Sequence, residues 1–118
     1  MDKPRILIIE DEFLVSLEIE AVLADAGFNV LEPAATVESA LRMLDSEQVD
    51  AVILDRNLGG KDVSEISNRL RERNIPFVFL TGYGPETVPQ QFQDVPFIAK
   101  PFDEKQLIES VQSMFQNT

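Results

Sequence analysis

Residues 6–12 read ILIIEDE: four branched apolar residues followed without a break by Glu10, Asp11 and Glu12. A short run that is apolar at both alternating positions suits a strand buried on both faces of a parallel sheet. Such a strand then ends where three like charges are concentrated. AVILD (51–55) repeats the pattern and also ends in a carboxylate. PFVFLT (76–81) and FIA (97–99) are two further runs, and FNVLEPA (28–34) is a weaker one that stops near Pro33.

Helical spacing fills the intervals. Residues 13–26 are free of glycine, with Leu14, Leu17, Ala21 and Ala24 on one face and Gly27 as the stop. Thr36 can cap a helix whose Val37, Ala40, Leu41 and Leu44 repeat at helical intervals. Val63, Ile66 and Leu70 mark a helix through about Arg73 after the loop NLGGKD (57–62). Asp103 and Gln106 form a capping pair for a last helix carrying Leu107, Val111, Met114 and Phe115. The stretch 82–96 holds two glycines and three prolines, so only a short helix is expected there. Five strands alternating with helices predict an α/β domain with a parallel sheet and helices on both faces.

Composition narrows the function. The 118 residues suffice for one domain, expected to span 1–118. A net charge of −11 opposes contact with phosphate backbones, so no nucleic-acid partner is expected. The nearest basic cluster is Arg69, Arg71 and Arg73. No apolar run approaches the roughly 20 residues that span a bilayer, and no leader is read in MDKPR, so a cytoplasmic location is expected. Cysteine is absent, which excludes disulfides and thiolate metal sites. Histidine is absent too, removing the commonest general base and any phosphohistidine of the chain's own.

In an open parallel sheet, ligands bind at the carboxyl ends of the strands. There the sequence delivers Glu10 and Asp11, then Asp55, Thr81 and Lys100. Each has a plainer reading alone: Asp11 as a helix cap, Asp55 and Thr81 as turn residues, Lys100 as a solvated lysine. Their coincidence on one edge favours a site. Clustered carboxylates raise one another's pKa unless a cation joins them. An all-oxygen ligand set suits Mg²⁺, with Mn²⁺ or Ca²⁺ also possible. A carboxylate can attack phosphorus, and a lysine can hold a phosphoryl oxygen as a point charge. Glu12 is read as a solvated first-turn acid favoured by the helix dipole, and Arg56 as a solvent- or partner-facing side chain.

IIEDE, VILDRNL, FLTGYG and AKPF, in this order and spacing, resemble a receiver domain of the two-component response regulators over residues 5–115. The resemblance implies a flavodoxin-like fold with strand order 2-1-3-4-5. It implies Asp55 as phosphoacceptor, Asp11 and the Asn57 backbone carbonyl as metal ligands with Asp55, and Glu10 acting through water. Thr81 and Lys100 would contact the phosphoryl group. Phe97 occupies the aromatic switch position, and Lys100–Pro101 the position of a cis peptide. Gly59 and Gly60 stand where many receivers have a proline, and Gly82 where many have alanine. PFVFLTGYG resembles the stand-alone Phe-x-Thr-Gly-Tyr subgroup, in which Tyr83 and the Gly82–Gly84 loop would carry the response. The partners implied are a histidine kinase or phosphotransfer protein and an unidentified downstream protein. The chain itself would be a monomer or weak dimer that catalyses only its own phosphorylation and dephosphorylation. Two alternatives stand beside this. One is an aspartate-nucleophile phosphohydrolase, disfavoured because Asn57 replaces the usual second Asp. The other is an unphosphorylated pseudo-receiver, disfavoured because no acid or lysine is missing.

Overall fold

The apolar runs become strands β1 (Arg5–Ile9), β2 (Asn29–Val30), β3 (Ala51–Asp55), β4 (Phe77–Thr81) and β5 (Phe97–Ala99). The computed structural model describes residues 3–82 and 90–116. Among the described residues there are four α-helices: α1 (Phe13–Asp25), α2 (Val37–Ser46), α3 (Ser64–Glu72) and α4 (Glu104–Ser113). The strands pair in parallel in the order β2-β1-β3-β4-β5, as the resemblance implied. The weak run 28–34 yields only the two-residue β2 and a single bridge from Ile9 to Ala34. Pro33 removes a donor there, and the strand lies at the sheet's edge.

Side chains alternate across the sheet. Leu7, Ile9, Val52, Leu54 and Phe79 pack with Ala40 and Leu44 of α2 and with Ile66 and Leu70 of α3. Ile6, Ile8, Ile53, Val78, Leu80 and Ile98 pack with Ile19 and Leu23 of α1 and with Leu107 and Val111 of α4. Strand order reverses between β1 and β3, with Ile9 paired to Leu54. That register sets Glu10 and Asp11 beside Asp55 in the crevice where such sheets bind ligands.

Two helix starts follow the sequence. Thr36 and Ser39 form a reciprocal capping box for α2, and the Asp103 side chain accepts from the Gln106 N–H at 3.0 Å. α1 departs from expectation. Its buried residues are Ser16, Ile19 and Leu23, whereas Phe13, Leu14 and Leu17 are 72%, 70% and 47% exposed and Ala21 and Ala24 face solvent. Both faces of α1 are apolar, so its periodicity finds a stripe without saying which way it turns. Asp11 does not cap it either: Glu12 holds the cap position with no side-chain hydrogen bond. In the stretch 82–96 the described residues give one 3-10 turn, Gln90–Phe92.

The α1 assignment predicts unequal losses on truncation. Ile19→Ala should cost about 2–5 kcal/mol of stability, and Leu17→Ala less than about 1 kcal/mol. Denaturant titration measures both; losses of equal size would contradict the orientation of the helix.

Candidate functional site

Glu10, Asp11 and Asp55 each offer a carboxylate oxygen, and these oxygens lie within 4.8 Å of one another. Glu10 and Asp55 are buried and Asp11 is exposed at the rim. The backbone holds two of them. The Glu12 N–H donates to Glu10 Oε2 at 3.0 Å, and the Asn57 N–H donates to Asp55 Oδ1 at 3.0 Å. Lys100 reaches in from the end of β5, its own N–H tied to the Thr81 carbonyl at 2.8 Å. Its ammonium Nζ lies 3.0 Å from Glu10 Oε1, 3.2 Å from Glu12 Oε1 and 3.5 Å from Asp55 Oδ1. The Glu10 contact is ionic and off-line: buried Oε1 receives no properly directed hydrogen bond. Asp11, Glu12, Asp55, Asn57, Gly59, Gly60, Gly82 and Lys100 line a cavity of about 380 Å³ over this cluster.

Charge is short by one cation. Burial pushes Glu10 up to about 7; the N–H of Glu12 and the nearby Lys100 oppose this, and the Asp55 carboxyl adds to it. Asp55 is also raised, by burial first, against the Asn57 N–H, Glu10 and Lys100. At Asp11 burial raises the pKa, but hydrogen bonding with Asp55 and with the backbone at Asp11 and Gly59 outweighs it, and the net direction is down. Lys100 is likewise pushed down by burial and then pulled up past its usual value by Glu10, Asp55 and Glu12. One ammonium thus serves three carboxylates, and the proton that Glu10 keeps up to about 7 makes up only part of the deficit. Oxygen donors of this kind, with the buried Glu10 Oε1 lacking a directed donor, fit a hard divalent cation.

The other expected residues fall out differently. Thr81 ends β4 with its side chain buried, and Gly82 lines the cavity in its place. Phe97 is half-buried against the cluster under α2 and α3, paired across the sheet with Phe79, and is not part of the cavity wall. Tyr83 lies outside the described residues. The Lys100–Pro101 peptide is cis. Arg56 turns inward rather than outward: it lines a 40 Å³ hollow with Asp62, Ser64, Ser67, Phe79 and Phe92. The basic cluster is taken up in ion pairs, Arg69 and Arg73 sharing Asp45 and Arg71 on Asp94.

Glu12 and Gly59 are the residues that sequence reasoning missed. Glu12 is exposed, as expected, yet it is tied to Lys100 rather than simply solvated. Gly59 takes a left-handed φ of 56°, and a Cβ there would sit 3.8 Å from Asp11 Oδ2. The Gly59–Gly60 pair was the only available signal: it permits the turn that brings the 57–62 loop against the acids.

Comparison with known proteins agrees with this geometry. Residues 6–112 match the family model described as the response regulator receiver domain. The chain belongs to that family. Sporulation initiation phosphotransferase F of Bacillus subtilis (strain 168) is 27% identical over 117 residues, covering 95% of this chain and 94% of that protein. Aerobic respiration control protein ArcA of Escherichia coli (strain K12) is 29% identical over 122 residues, and the chain spans only 51% of its length. Among solved structures, SdrG from Sphingomonas melonis Fr1 superposes with a TM-score of 0.84 at 33% identity, over 96% of this chain and 97% of that one. No helix among the described residues is long and apolar enough to cross a membrane.

The receiver's raised Glu10 predicts a sign for pH. The unfolded carboxyl titrates near 4.5, whereas the folded one keeps its proton up to about 7. The folded state therefore binds more protons across that window, and metal-free stability falls as pH rises through it. Raised Asp55 acts in the same direction, and the lowered Asp11, Asp45, Asp62 and Asp94 act below it. Thermal melts in EDTA should show the decline, and Glu10→Gln should flatten it. A melting temperature that climbs from pH 5 to pH 7 (roughly this window) would contradict the account.

Proposed function

We propose that residues 1–118 act as a single phosphoacceptor receiver in a two-component system, taking a phosphoryl group onto Asp55 from the phosphohistidine of a separate kinase or phosphotransfer protein. The observation that carries this reading is buried Asp55 lining the cavity, with the carboxylates of Glu10 and Asp11 beside it and the Lys100 ammonium 3.5 Å from its Oδ1. A carboxylate oxygen of Asp55 attacks phosphorus. The P–O bond forms as the donor's P–N bond breaks, and the electron pair leaves with the imidazole nitrogen. The Asn57 N–H holds the Asp55 carboxylate in one rotation during attack. Lys100 takes one phosphoryl oxygen, and the Thr81 hydroxyl takes another after a small movement from its buried position.

Asp11, Asp55 and the Asn57 carbonyl would hold a Mg²⁺ ion, with Glu10 behind a water; when bound, the ion supplies neutralising charge to the transferring group. The donor needs a surface at the mouth. The outer stripe of α1 begins there, with Phe13, Leu14 and Leu17 exposed directly after Glu12. Such a patch of apolar side chains beside a reaction centre suits a protein partner. Asn57, two residues after Asp55, offers no carboxyl to protonate a leaving group, so steady turnover of small phosphoesters is not expected.

Acetyl phosphate with Mg²⁺ should add one phosphoryl group by intact mass, and Asp55→Asn should abolish the adduct. No adduct on the wild type, or one that survives Asp55→Asn, would overturn the reading.

A further inference from the structure

Glu12 stands outside the set of acids that suit a metal, yet it makes the directed hydrogen bond to the Lys100 ammonium, at 3.2 Å. Its position is fixed from both sides. Its N–H is held by Glu10 Oε2 at 3.0 Å, and its carbonyl accepts from the Ser16 N–H at 3.1 Å in the first turn of α1. Its side chain is 61% exposed, against 0% for Glu10 and 2% for Asp55. The ammonium thus lies between one outer acid at the rim and two inner acids beneath it. A phosphoryl group on Asp55 needs a hydrogen bond from that ammonium. The outer hydrogen bond draws on the same ammonium.

Building on the receiver reading, we propose that Glu12 is a positioning residue that takes one hydrogen bond of the Lys100 ammonium in the unphosphorylated protein and competes with the phosphoryl group for it. Lys100 has three N–H donors but one charge, and each oxygen that shares the ammonium weakens its hold on the others. When a phosphoryl group arrives, Lys100 releases Glu12 and gains a phosphoryl oxygen. The acid at the rim therefore lowers the affinity of the site for its phosphoryl group. Because Glu12 is exposed, the effect is modest, roughly two- to fivefold.

Beryllofluoride, a non-covalent phosphoryl mimic, tests this with Mg²⁺ present. Its affinity is read from the bound ¹⁹F signal for wild type, Glu12→Gln and Glu18→Gln. Glu18 carries the same charge on α1 and lines the neighbouring groove, but it makes no ion pair with Lys100. Glu12→Gln should bind the mimic roughly two- to fivefold tighter, and Glu18→Gln should match wild type. In metal-free protein without the mimic, the ¹⁵N-ammonium signal of Lys100 should shift in Glu12→Gln and stay put in Glu18→Gln. Unchanged or weaker binding in Glu12→Gln overturns the proposal. Equal tightening in both variants does so too, because the effect is then bulk charge. A wild type that takes up no beryllofluoride with Mg²⁺ overturns the receiver reading itself.

Discussion

Mutual repulsion among three carboxylates, held together by two parallel strands, is the constraint on which the rest of the structure depends. Water would separate such groups. Here the register of β1 against β3 forbids it, because Ile9 pairs with Leu54 and the next residues of each strand carry the acids. The strands cannot slip: a shift of one residue would turn every side chain of a doubly buried strand toward the wrong helical layer. Fully buried Ile6 to Ile9 and Ala51 to Leu54 fasten the register through both hydrophobic clusters. The core therefore stabilises an electrostatic arrangement that the acids alone would not adopt.

Lys100 answers that repulsion in part. Its backbone is fixed to β4, and its side chain crosses the crevice to reach acids that precede it by about ninety residues in the chain. Burial is the main reason that Glu10 keeps its proton to about 7, and one ammonium shared among Glu10, Glu12 and Asp55 offsets it only in part. A site in this condition is receptive to a cation and to a group that brings the cation and the lysine together over Asp55.

Much of this was legible in the sequence, and the exceptions have physical causes. β3 appears with the limits that its apolar run indicated, because a doubly buried strand leaves an unbroken signature, and the edge strand β5 also keeps its expected limits. The caps at Thr36 and Asp103 were legible because capping is local. The orientation of α1 was not: Ile19 and Leu23 face the sheet while Leu14 and Leu17, equally apolar, face solvent. Where both faces qualify, the choice rests on the sheet beneath. At the site, Asp55, Asp11, Glu10 and Lys100 were legible from strand ends alone. Glu12 was not, because its contact is made by a residue from the far end of the chain. Arg56 followed the same logic in part: besides the nearby Asp62 and Val63, its hollow is built by α3, by Phe79 of β4 and by Phe92 of the turn Gln90–Phe92.

The central claim is that the acids' repulsion is relieved by a divalent cation, and melting temperature against Mg²⁺ tests it most directly. Millimolar Mg²⁺ should raise the melting temperature of the wild type. Asp11→Asn, which removes one of the repelling charges, should melt higher than the wild type without metal and respond little to Mg²⁺. A wild-type melting temperature that is the same in EDTA and in millimolar Mg²⁺ would contradict the account.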